Sequence, residues 1–254
     1  MVTTAVLGLP VVEIAALVCV FIFGGVVKGV TGVGLPLVLV PLATQFVPVP
    51  VAVALVAVSM VVTNVVQSLE GGHTGKAVRK LLPILFPLMV GAVIGTRLLI
   101  SIGQRRLHLI IGSSFLLLAV LLLSLPRVRI SPQTARWSGP FVGLGAGVLG
   151  GMSAIFGPPM IVYLVSAGVD PDAFVKDMAI LACTAAVTMI AVLGGSGAMS
   201  GGDFIMSTIA VIPIQIGMPC GRWLRARIRP NWFRVLVLLV LAASGFDMLR
   251  KALF

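Results

Sequence analysis

Long apolar runs separated by short polar or basic stretches follow one another along the whole chain. Residues 11–27, 51–69, 107–125, 138–156 and 204–221 each carry at most one charged side chain. About 20 residues of helix cross the hydrocarbon core of a bilayer. These runs therefore predict membrane-spanning α-helices, and residues 81–100, 173–193 and 233–248 complete the set. Two shorter apolar pieces, 36–47 and 158–169, each open at a proline after a glycine-rich stretch. Twelve helical residues reach only about 18 Å, short of a full crossing. The expected fold class is an all-α polytopic membrane protein containing two broken segments.

The breaks expose a repeat. Gly25, Gly29, Thr31 and Pro36 recur 122 positions later as Gly147, Gly151, Ser153 and Pro158. Pro87, Gly91 and Gly95 recur 126 positions later as Pro213, Gly217 and Gly221. An ordered set that differs by one four-residue indel indicates two homologous halves. The first covers residues 1–125 and the second 138–254, joined by a basic loop at 126–137, within one integral membrane domain. Each half holds about four full helices plus the short proline-initiated segment.

Whether those short segments cross or turn back decides the symmetry. Crossing gives each half five segments and inverts one half relative to the other; turning back gives four segments and parallel halves. Cytoplasmic loops are enriched in Lys and Arg. The inverted arrangement gathers Lys28, Lys76, Arg79, Lys80, Arg127, Arg129, Arg136 and Lys176 on one face, with Arg222, Arg225, Arg227, Arg229 and Arg234. It leaves Arg97, Arg105, Arg106, Arg250 and Lys251 on the other. The parallel arrangement divides them almost evenly. Inverted repeats, ten segments and both termini outside are the favoured topology, and broken helices in inverted repeats place a transporter's site near the midplane.

Composition agrees with the pattern: 59% of the residues are hydrophobic and 10% charged, whereas soluble domains carry about 25% charge. The net charge of +11 sits in short loops between apolar runs, so it reads as topology signal and anionic-headgroup contact and not as a nucleic-acid surface. Residues 1–9 hold no Lys or Arg, unlike the start of a cleavable leader, and the first helix is expected to be retained. Cys19, Cys183 and Cys220 lie in apolar runs without a Cys-x-x-Cys pair and are expected to be inert.

Candidate chemistry concentrates at the two breaks. The first runs Lys28-Gly29-Val30-Thr31-Gly32-Val33-Gly34-Leu35-Pro36, and the second runs from Gly150 and Gly151 through Ser153 to Gly157 and Pro158. Glycine lets backbone approach a ligand closely, and proline suits the first turn of a helix. Each break should therefore end at a helix N-terminus, which favours an anion. Thr31 and Ser153 could add hydroxyls and Lys28 a full charge. The alternative is that Gly29, Gly32, Gly34, Gly151 and Gly157 serve close helix packing and that Lys28 snorkels to the interface. Asn64 and Gln67, three apart on one helix face, could donate amide hydrogens to an oxyanion or bond to another helix.

Acidic side chains are few. Glu13 and Asp247 fall near the ends of apolar runs, and neither is placed as a midplane proton relay. An anion leaving a cell that is negative inside needs no such relay. His73 and His108 stand apart, so no metal site is expected. No nucleophile–base set or nucleotide loop is present, and neither an enzyme nor a cofactor is expected.

At these residues the sequence resembles the sulfite exporter TauE/SafE family, also called the 4-toluene sulfonate uptake permease family. The resemblance rests on GVVKGVTGVGLPLVLVPL and its partner GAGVLGGMSAIFGPPMIVYL, with GAVIGTRLL and GMPCGRWLRARI near the ends of the halves. It departs from the family pattern at Ala154 and Phe156, where glycine is commoner. The resemblance implies a transporter in the cell inner membrane that exports, or imports, sulfite, sulfoacetate or a similar small sulfur anion. A membrane scaffold without transport remains the other class.

Overall fold

In the computed structural model, residues 6, 8–32, 34–69, 74–124, 131–225, 227 and 230–253 are described. Glu70, His73, Arg127, Arg129 and Arg229 lie outside them. Among the described residues every element is a helix. In chain order these are α1 (Val11–Thr31), α2 (Leu35–Ala43), α3 (Val49–Leu69), α4 (Thr74–Ser101), α5 (Gln104–Ser124) and α6 (Pro132–Ser153). Then follow α7 (Gly157–Ser166), α8 (Pro171–Gly195), α9 (Gly201–Ile209), α10 (Val211–Arg225) and α11 (Pro230–Leu253). Among the described residues, five segments are long and apolar enough to cross a membrane: α1, α3, α4, α8 and the α9–α10 pair. The chain is a multi-pass membrane protein.

Local chemistry explains most boundaries. Asp203 and Ser200 form a reciprocal capping box that starts α9, satisfying two orphan donors at once. Ser131 caps α6 by accepting from the Thr134 N–H, so that helix begins inside the basic stretch that composition marks as a connecting loop. The run expected at 204–221 is interrupted at Ala210. Pro213 cannot donate to the Ile209 carbonyl and crowds it, which separates α9 from α10.

The helices pair across the halves. The most extensive contacts join α4 to α6 and α1 to α10, followed by α5 with α11 and α3 with α8. The first two pairs touch backbone to backbone. A Cβ added to Gly25 or Gly29 would overlap the carbonyl of Ile214 or Met218, and one added to Gly217 or Gly221 that of Ile22 or Val26. In the same way Gly91 and Gly95 face Leu144 and Val148, while Gly147 and Gly151 face Leu88 and Ala92. Residue numbers rise together along both pairs, so the partners run parallel. In α5 and α11, Arg105 Nε donates to Ala252 O at 2.7 Å while Gly112 meets Gly245, which makes them antiparallel. The short α2 and the N-terminal half of α3 are almost wholly buried and form the centre of the molecule.

Candidate anion site

Both breaks are closed by the same two hydrogen bonds. Gly32 takes φ 73° and donates its N–H to Lys28 O at 2.7 Å, ending α1. Ala154, 122 positions on, takes φ 59° and donates to Gly150 O at 2.6 Å, ending α6. Thr31 Oγ1 donates to Val27 O and Ser153 Oγ to Leu149 O, each at 2.8 Å. Ser153 Oγ also accepts the Ile155 N–H at 3.2 Å. Both hydroxyls thus give their proton to their own helix, which is the ordinary behaviour of Ser and Thr in helices. Glycine suits the left-handed conformation at 32, and the alanine at 154 is strained there.

After each break a new helix starts without a side-chain cap: α2 from Gly34, at φ 91°, and α7 from Phe156. Pro36 stands in the first turn of α2, and Pro158 and Pro159 in that of α7. The prolines remove some of the orphan N–H groups of a first turn, while the positive dipole end remains.

These two N-termini meet. A small cavity of about 30 Å³ is lined by Lys28, Gly34, Leu35, Pro36, Met60 and Asn64 from the first half and by Ile155, Phe156, Gly157, Met178 and Ala182 from the second. That is room for a water or two, so an oxyanion needs the helices to part slightly. Lys28 is 3% exposed, and its Nζ donates to Asn64 Oδ1 at 2.7 Å. Asn64 Nδ2 donates in turn to Met60 O at 2.7 Å. The asparagine therefore positions the ammonium. Among the described residues no carboxylate pairs with Lys28.

A larger cavity of about 320 Å³ lies on the other side of the same lysine. Lys28, Gly29, Gly32, Thr63, Gln67, Val175, Gln215, Met218 and Arg222 line it. Gln67 Nε2 donates to Gly32 O at 2.8 Å, which ties α3 to the end of α1, while Gln67 Oε1 is buried without a hydrogen-bond partner. The structure thus brings Lys28, Gly34, Pro36, Asn64 and Gly157 to the small cavity, and Lys28, Gly29, Gly32 and Gln67 to the larger one. Thr31, Gly151, Ser153 and Pro158 line neither. Gly29 and Gly151 also serve the tight helix pairs, as the packing alternative requires.

Sequence reasoning missed Gln215, Arg222 and Asp177. Gln215 was legible as a lone amide within an apolar run. Arg222 was absorbed into the basic cluster at the end of α10. Asp177, 2% exposed near the start of α8, pairs with Lys80 at 3.1 Å and falls in sequence between Val175 and Met178, which line the larger and the small cavity.

The described helices make a multi-pass membrane protein with a buried cation, Lys28, where two broken helices meet. The chain matches the sulfite exporter TauE/SafE family over residues 17–248. It belongs to that family, and membership implies a membrane transporter of sulfur anions. Neither the curated proteins nor the solved structures contain a match.

Proposed function

We propose that this chain exports a small sulfur oxyanion or organosulfonate, such as sulfite or sulfoacetate, across the cell inner membrane, and that Lys28 holds it. One observation carries the reading. Lys28 is buried on a neutral amide, beside two uncapped helix N-termini. A buried ammonium without a counter-charge is costly, and a bound anion supplies that counter-charge. Lys28→Gln should abolish saturable uptake of labelled sulfite or sulfoacetate into inside-out vesicles, with the protein still inserted and extractable. Undiminished flux in Lys28→Gln rejects the reading.

On the same reading the halves are inverted. Lys28 meets Asn64 and Gly32 meets Gln67, so α1 and α3 run parallel. Helix α4 follows α3 after four residues, and we take it to return in the opposite sense. Because α6 runs parallel to α4, it opposes α1. The short α2 then belongs to a return path between α1 and α3, giving five segments per half.

A further inference from the structure

The larger cavity holds two cations and no acid. Lys28 and Arg222 are the charged residues in its lining, with Thr63, Gln67 and Gln215 as the polar ones. Arg222 reaches it because of the glycine contact between α1 and α10. A Cβ on Gly29, the neighbour of Lys28, would sit 2.9 Å from the Arg222 backbone nitrogen. Only a residue without a side chain lets the two helix backbones approach so closely. Gln215 precedes Arg222 by seven residues, two helical turns that keep both on one face, and Thr63 and Gln67 form a matching column on α3. An exposed amide in the middle of a membrane-spanning helix is expensive in lipid, and the cavity gives it a polar setting. Asp177, the buried acid closest in sequence to the lining, is already paired with Lys80 on α4.

A singly charged anion at Lys28 leaves the exposed Arg222 guanidinium without an acid in the cavity lining to pair with. An anion carrying two charges compensates both. We propose that Arg222 contacts the substrate and, with Lys28, makes the cavity select doubly charged sulfur anions over singly charged ones of similar size. This rests on Lys28 being the anion-holding group. It gives Arg222 a role beyond orienting the chain in the membrane.

The test compares labelled sulfoacetate, which carries two negative charges, with labelled isethionate, which carries one, in inside-out proteoliposomes. Wild type should show a KM for sulfoacetate about tenfold below that for isethionate, the factor that one charge-assisted contact supplies. Arg222→Gln and Arg222→Met should erase the preference by raising the sulfoacetate KM toward that of isethionate, and Arg222→Lys should keep it. No preference in wild type, or one that survives both charge-free variants, overturns the inference and leaves the Lys28 reading standing. Flux that persists in Lys28→Gln fails the underlying reading instead, and the inference with it.

Discussion

The hydrogen bond from Lys28 to Asn64 joins a charge to an uncharged acceptor, and that mismatch makes the residue scale informative. A carboxylate at 64 would give the ammonium a permanent partner. Asn64→Asp should therefore insert and melt at least as high as wild type, yet lose anion flux because the internal charge competes with the substrate. Asn64→Leu should lose both, since removing the acceptor of a buried lysine costs roughly 1–3 kcal/mol. Thermal melting in detergent beside vesicle flux separates the two variants, and full flux in Asn64→Asp would contradict the compensation argument. The sequence made Lys28, Asn64 and Gln67 visible as polar groups in apolar surroundings. It did not reveal that Lys28 and Asn64 face each other, because a contact between residues 36 apart depends on how α1 packs on α3.

Among elements, the glycine faces of α1, α4, α6 and α10 matter most. Helices in lipid lack a hydrophobic driving force for association and depend on close backbone approach. Gly217→Ala and Gly221→Ala place a methyl group on a facing carbonyl and should each destabilise the protein by about 1–3 kcal/mol, the range for overpacking. Gly194→Ala and Gly145→Ala meet open space and should change the melting temperature little. Equal effects at all four positions would remove the packing account. The ordered recurrence of these glycines was visible in the sequence, and helix positions were legible from apolar length. The pairing was not, since small residues mark a contact face without naming its partner. The interruption at Ala210 also escaped, because proline is tolerated in the first turn of a helix, where Pro213 stands in α10.

For the whole molecule, direction is the testable property. If the halves are inverted, single cysteines at Thr74 and Ser200, in a background lacking Cys19, Cys183 and Cys220, should label from opposite sides of intact cells. Labelling from one side would establish parallel halves. Inverted halves with both termini outside would put Lys28, Arg222 and the Lys80–Asp177 pair toward the cytoplasmic face, the side from which an exported anion would enter. Asp177 is a further candidate for coupling, because the fold buries its carboxylate beside Lys80.

The parallel pairs also bear on how the chain is made. During synthesis α1 enters the bilayer long before α10 exists, with nearly 190 residues between Gly29 and Met218. Until then its glycine face has no partner. The first half is an open shape awaiting the second, which closes α1 with α10 and α4 with α6. A chain that stops in the connecting stretch leaves those faces bare to membrane proteases, whereas two separately translated halves still carry every surface needed to find each other.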